Sequence, residues 1–260
     1  MMRWVRYGWL LGVLWACAGE MAAAAEDSRA FELRTYVTNE GKLPDLLTRF
    51  RDHTCSLFER HGMDNIGYWI PMSPEDGSAN TLIYLIAHQS REAAQANWKA
   101  FQADPEWKKV RAESEANGKI LAKAPESIFL SITDFSPAVP SGGTGTERAF
   151  ELRTYKAAPG KLEALHARFR NHTQTLFAKH GMANLAYFTP MDEAQGSQDT
   201  LIYFLAHSSR EAGAASFAAF RADPDWIAAK SASEQGGSLT VQPDGVKSVY
   251  LRPTDFSPLK

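Results

Sequence analysis

Phe31-Glu32-Leu33-Arg34-Thr35-Tyr36 returns 119 residues later as Phe150-Glu151-Leu152-Arg153-Thr154-Tyr155 in a chain of 260 residues. The same offset carries Asp104-Pro105 onto Asp223-Pro224. It slips to 121 only near the end, where Thr133-Asp134-Phe135-Ser136-Pro137 becomes Thr254-Asp255-Phe256-Ser257-Pro258. Solenoid repeats run at roughly 20 to 50 residues per unit, so a period this long makes each copy a small domain. The chain reads as a fused pseudo-dimer: one copy at residues 30–137, a second at 149–258, and between them a linker at 138–148 containing Ser141-Gly142-Gly143-Thr144-Gly145.

Each copy predicts the same order of elements. Residues 31–36 alternate as a strand, with Phe31, Leu33 and Thr35 on one face and Glu32, Arg34 and Tyr36 on the other. Leu43, Leu46, Leu47, Phe50, Leu57 and Phe58 recur at helical spacing, with Pro44 in the first turn and Gly62 as the stop. Two extended stretches follow at 63–72 and 81–88. Ser90 then caps a second helix, which Asp104-Pro105 restarts toward Gly118, and residues 127–133 close the unit as a strand. The order βαββαβ is the ferredoxin-like unit, with helices on one face of an antiparallel sheet. Ile83, Leu85 and Ala87 alternate with Leu82, Tyr84 and Ile86, both sets largely apolar, so the other face also needs a cover. The second copy supplies it, sheet facing sheet.

A net charge of −2 offers no general basic surface for nucleic acid. Arg3 and Arg6, an apolar run at 9–16 and Ala23-Ala24-Ala25 before Glu26 predict a cleaved export signal at residues 1–25, whose apolar run is too short to span a bilayer. The mature chain is then periplasmic or secreted, with no transmembrane segment. Leu14-Trp15-Ala16-Cys17 supplies the alternative of a lipoprotein anchored at Cys17. Cys55 is the one cysteine left after cleavage, with Gln174 at its place in the second copy, so no internal disulfide or cysteine metal site follows. Cys55 reads as a small buried hydrophobe.

The ordered set Glu32-Leu33-Arg34-Thr35-Tyr36, Phe58-Glu59-Arg60-His61-Gly62, Leu82-Ile83-Tyr84-Leu85, Ser90-Arg91 and Asp104-Pro105-Glu106-Trp107 resembles a NIPSNAP domain. The second copy resembles it too, at residues 151–155, 178–181, 201–204, Ser209-Arg210 and Asp223-Pro224-Asp225-Trp226. The resemblance implies the dimeric α+β barrel fold, closed here within one chain: an α+β fold of two ferredoxin-like (βαββαβ) repeats. It transfers no catalytic residue and no cofactor. Eukaryotic members are associated with mitochondria and vesicle traffic, which an exported protein need not share.

Six of the seven histidines fall in repeat pairs, His53/His172, His61/His180 and His88/His207. His61 and His180 stand at a helix end, where an imidazole meets the dipole and free carbonyls. His53 and His172 sit three residues after Phe50 and Phe169, at the border of an apolar stripe. His88 and His207 end strands on the side of Tyr84 and Tyr203; they read as solvated strand ends with the mouth of a pocket as the alternative. Arg34 with Tyr36 and Arg153 with Tyr155 share a strand face with Glu32 and Glu151, which makes an internal ion pair the first reading and a ligand anion the second. Trp98, Trp107 and Trp226 read as core.

Among these, Arg34, Tyr36, His53, Tyr84, His88, Arg153, Tyr155, His172, Tyr203 and His207 are the ligand-binding candidates, expected to converge between the first helix and the sheet of each copy. No metal spacing, phosphate loop or nucleophile elbow is present in the sequence. The expected function is therefore binding of a small molecule or protein partner. The alternative is a cofactor-poor oxidoreductase of monooxygenase type, by analogy of fold. Further homo-oligomerisation stays open. N-terminal sequencing of the natural product should begin near Glu26; an intact Met1 would overturn export, and a lipid on Cys17 would replace release with an anchor.

Overall fold

Alternation along residues 31–36 decides the architecture, because one face of that strand carries aromatic and aliphatic groups and the other a charged pair. A computed structural model describes residues 27–140, 142 and 147–260. The expected leader at 1–25, with Cys17, and residues 141 and 143–146 of the linker lie outside them. In the first half β1 (Ala30–Val37) leads to α1 (Leu43–Arg49), a π-helical turn (Phe50–Thr54) and α2 (Cys55–Arg60). Then come β2 (Asp64–Pro71), β3 (Thr81–His88), α3 (Arg91–Ala103), α4 (Pro105–Ser114) and β4 (Glu126–Ile132). The second half repeats the order as β5 (Ala149–Lys156), α5 (Leu162–Arg168), a π-helical turn (Phe169–Thr173), α6 (Gln174–Lys179), β6 (Ala183–Pro190), β7 (Thr200–His207), α7 (Arg210–Ala222), α8 (Pro224–Ser233) and β8 (Val246–Pro253).

The local chemistry behind these elements is the same in both halves. Ser90 and Ser209 accept the N–H groups of Ala93 and Ala212, each at 3.1 Å, and so start α3 and α7. The Asp104 carboxylate accepts the N–H of Glu106 at 2.7 Å, with Pro105 opening α4 where a missing N–H does no harm. Helix α4 stops at Ser114, short of Gly118. Gly62 and Gly181 end α2 and α6 at φ of 74° and 77°, a conformation that a side chain disfavours.

The sheet closes on itself in the order β1-β3-β2-β8-β5-β7-β6-β4, with β4 paired back to β1. Every pairing is antiparallel. The two halves are thus not separate sheets laid face to face; they are hydrogen-bonded edge to edge at two seams. Ile70 opposes Arg252 across β2–β8, and Ser131 opposes Thr189 across β4–β6. Each half alone would leave two open strand edges, and closure satisfies both.

Inside the barrel lie Phe31, Leu33, Ile83, Leu85, Phe150, Ile202 and Phe204. Trp69 crosses between halves, its ring 5.4 Å from Phe150 and 5.2 Å from Phe204. A Cβ at Gly67 would stand 2.2 Å from the Trp69 ring, so this glycine makes room for the indole. In the second half the matching positions hold Ala186 and Phe188: a smaller ring admits a methyl group. On the outer face, Tyr36, Leu82, Tyr84 and Ile86 form a second core under α1–α4, and Leu201, Tyr203 and Leu205 form a third under α5–α8.

The repeated Thr-Asp-Phe-Ser-Pro segments fasten the seams. After β4, Thr133 donates its N–H to Tyr187 O at 2.9 Å, and the Ser136 hydroxyl accepts the Tyr187 N–H at 3.0 Å. After β8, Thr254 and Ser257 do the same for Tyr68, at 2.9 and 3.0 Å. Asp134 pairs with Arg170 and Asp255 with Arg51, so each segment grips the other half's helical layer. Ser257 is buried and its hydroxyl also donates to Leu259 O at 2.7 Å. Replacing it with alanine leaves the Tyr68 N–H without a partner, and Ser257→Ala should cost about 1–3 kcal/mol in denaturant unfolding. An unchanged midpoint would show that the clamp adds nothing to closure.

Candidate functional site

On the outer face of β1, Glu32 is held by donors from four directions. Arg34 Nη1 and the Ser127 hydroxyl reach one carboxylate oxygen at 2.5 Å each; Trp98 Nε1 at 2.7 Å and His88 Nε2 at 3.1 Å reach the other. Asn97 donates to His88 Nδ1 at 3.3 Å, which places the proton of the neutral ring on Nε2, toward the carboxylate. Burial pushes the Glu32 carboxyl upward, but the His88, Arg34, Ser127 and Trp98 donors overrule it and bring it down to about 2. Glu151 is built alike, with Arg153, His207 and Ser248, and its carboxyl is likewise lowered against the opposing effect of burial.

Between this network and the helices lies a cleft of about 620 Å³. Arg34 and Tyr36 line it from β1; Arg49, Phe50, Thr54 and Phe58 line it from α1, the π turn and α2. Trp98 and Phe101 come from α3 and Trp107 from α4, while Lys119 and Lys123 stand in the following loop. Arg49 is 4% exposed, and its guanidinium lies 5.3 Å from the Trp107 ring centre. Its Nη1 reaches Ser114 and Glu115 only at 3.3 and 3.4 Å, and its Nε has no hydrogen-bond partner. Burial lowers its pKa from the ordinary arginine value, against the opposing Glu115 charge.

The corresponding cleft in the second half is about 280 Å³. Most of its polar groups close on one another, although Arg168 Nε, like Arg49 Nε, has no hydrogen-bond partner. Arg153 Nε donates to the Tyr203 hydroxyl at 2.9 Å and Nη2 to Tyr155 at 3.1 Å, and Arg168 meets Glu234 at 2.7 Å. In the first half, Arg34 Nε and the Tyr84 hydroxyl have no partner, and Arg34 Nη2 is 3.4 Å from Tyr36.

The sequence candidates are thus only partly gathered. Arg34 with Tyr36, and Arg153 with Tyr155, line the two clefts, each arginine already paired with the glutamate two residues before it. Tyr84 and Tyr203 are fully buried under the helices, and burial pushes both hydroxyls well above the ordinary tyrosine range. His88 and His207 are not solvated strand ends; they are 1% and 2% exposed and hydrogen-bonded to Glu32 and Glu151.

His53 does not join Tyr84 and Arg34, nor His172 Tyr203 and Arg153. Both are exposed, and His53 lines a second groove with Asp45, Arg49 and Asn117, on the other side of Arg49 from the cleft. The cause is the π turn. Cys55 N–H bonds back to Phe50 O, five residues earlier, and this wider turn buries Thr54, whose hydroxyl donates to Arg49 O at 3.1 Å, and leaves His53 exposed. His61 and His180 bond Asp104 and Asp223 at 2.8 and 2.7 Å, bracing α2 to α4 and α6 to α8, where helix-end carbonyls were expected as partners. Cys55 is half-buried, its thiol pushed up to about 12 by burial.

Arg49 and Arg168, and the lining role of Trp98 and Trp107, escaped the sequence reading. The signal was present: an arginine before Phe50 and again before Phe169, inside an otherwise apolar helical stripe.

Helical layers over a closed antiparallel barrel define the class: an α+β barrel with a helix–sheet cleft in each half. A putative monooxygenase of Fusobacterium nucleatum is similar in fold, with a TM-score of 0.57 and 11% identity over 87% of this chain and 92% of its own. An anthrone oxidase-like protein is similar too, at 0.53 and 15%, over 89% and 94%. Likeness at this identity concerns the fold alone. The NIPSNAP family model matches residues 31–137 and again 150–258, and the chain belongs to the NIPSNAP family. The NipSnap homolog of Dictyostelium discoideum is 29% identical over 140 residues, and the chain spans about half of that relative's length.

The Glu32 network sets a pH dependence. A carboxyl lowered to about 2 from an ordinary 4.5 contributes stability that is complete above about 4.5 and is lost as pH falls toward 2, a ceiling of about 3 kcal/mol. Glu32→Gln should lower stability at neutral pH, and the difference from the parent chain should shrink across that window. A constant difference between pH 5 and pH 2 would show that the charge of Glu32 is not what the network holds.

Proposed function

We propose that this is an exported protein that binds a small molecule with a flat apolar body in the helix–sheet cleft of its first half. The observation that carries this reading is the cleft itself, which joins an aromatic wall of Phe58, Trp98 and Trp107 to two guanidinium groups, those of Arg34 and Arg49. An apolar wall with a few fixed polar groups is what a small-molecule site requires, and about 620 Å³ lies within the usual range.

The side chains at the cleft are suited to holding a ligand. Glu32 is an ion-paired carboxylate with its oxygens occupied, Glu115 is shared by Arg49 and Arg111, and burial keeps the Tyr84 hydroxyl protonated. None of these is a free base within the cleft. The putative monooxygenase and the anthrone oxidase-like protein are similar in fold, and fold by itself does not carry a reaction over.

The test uses the indole N–H resonances of Trp98 and Trp107, assigned from Trp98→Phe and Trp107→Phe. Titration with the neutral probe 2-naphthalenemethanol should shift both resonances saturably, with a Kd of about 1 mM or tighter. Shifts confined to other residues, or none at all, would overturn the assignment of the cleft as the binding site.

A further inference from the structure

The two clefts descend from one repeat, yet they differ in what their buried donors have found. In the second half the Arg153 Nε and the Tyr203 hydroxyl satisfy each other, and Arg168 forms a short pair with Glu234. In the first half Arg34 Nε and the Tyr84 hydroxyl have no partner, and Arg49 and Glu115 stand 3.4 Å apart beside a cleft more than twice as large. A buried polar group without a partner is costly, so such an arrangement calls for an acceptor from outside.

The charge of that acceptor follows from what surrounds it. Arg34, Arg49 and Arg111 line the first cleft, against the carboxylates of Glu32 and Glu115. Three guanidinium groups against two carboxylates leave one positive charge. Arg49 carries it at the inner end, because Glu115 is divided between Arg49 and the exposed Arg111. Lys119 stands exposed at the mouth, where it attracts an anion from solution. The walls are rings, with Trp98 stacked by Arg34 at 4.3 Å and Trp107 facing Arg49.

We propose that the first half binds a small aromatic carboxylic acid as its monoanion, the carboxylate received by the free donors of Arg49 and Arg34 and the ring lying against Trp98 and Trp107. The second half does not bind it, because Arg153 Nε is committed to Tyr203, Arg168 is held in a 2.7 Å pair with Glu234, and its cleft of about 280 Å³ falls below the usual range for a ligand site. One acid is therefore bound per chain. This inference rests on the small-molecule reading above and adds the charge, the class and the stoichiometry.

Isothermal titration of the purified chain with 2-naphthoate, against the neutral 2-naphthalenemethanol, tests it. The acid should bind about tenfold or more tightly than the alcohol, at one site per chain. Arg49→Met should abolish the preference for the acid, and Arg168→Met should leave it intact. Because Arg49 is buried, Arg111→Gln supplies a variant at an exposed position: it leaves Glu115 to Arg49 alone, removes the excess charge and should cut the preference to about threefold or less. Equal affinity for acid and alcohol would overturn the anion assignment while leaving the binding reading standing, and failure of both probes to bind would overturn the two together. Two acids per chain, or a preference lost in Arg168→Met and kept in Arg49→Met, would overturn the assignment to the first half.

Discussion

A four-stranded sheet with two apolar faces and two open edges cannot stand alone in water, and the rest of this structure depends on how that constraint is met. Helices cover one face of each half. The other face and both edges are satisfied together, by hydrogen-bonding β2 to β8 and β4 to β6 so that a single barrel encloses one shared interior. Trp69, lying against Phe150 and Phe204, shows that this interior is a common one, since neither half could bury that indole by itself.

With the sheet fixed as a closed wall, polar groups on its outer face must be satisfied beneath the helices. Glu32 and Arg34 achieve this as a local pair, and His88, Trp98 and Ser127 tie that pair to β3, α3 and β4. Paired buried charges of this kind hold geometry more than they add net stability. Their consequence here is positional: Arg34 is fixed at the floor of a cleft whose other buried guanidinium, on Arg49, comes from the helix above.

Much of this was legible in the residues. Internal repetition, strand alternation and paired caps such as Ser90 and Asp104 led to the βαββαβ order, and the spacing of Glu32 and Arg34 led to their ion pair. Illegible features had physical reasons. Helical periodicity assumes a constant turn, and the π turn at residues 50–54 changes it within the helix, so His53 was placed on the wrong side and Thr54 overlooked. In the sequence Arg49 is indistinguishable from its exposed neighbours Arg51 and Asp52. Its burial depends on Trp107 and Glu115, some sixty residues away in sequence. His88 looked solvent-facing because nothing near it in the chain reveals that its ring meets Glu32 on the neighbouring strand, diagonally across the ladder.

Linking the halves covalently also changes what sequence variation can reach. In a barrel assembled from two identical chains, any substitution in one cleft appears in both, and a seam residue meets its own altered copy. Here Trp98 stands opposite Phe217 in the repeat alignment, Gln102 opposite Arg221, Lys119 opposite Ser238 and Gly67 opposite Ala186. Each of these exchanges alters one side alone. A single chain has thereby left the two-fold symmetry of its architecture intact in the backbone while abandoning it in the side chains, so that one half is free to hold a larger cleft than its twin.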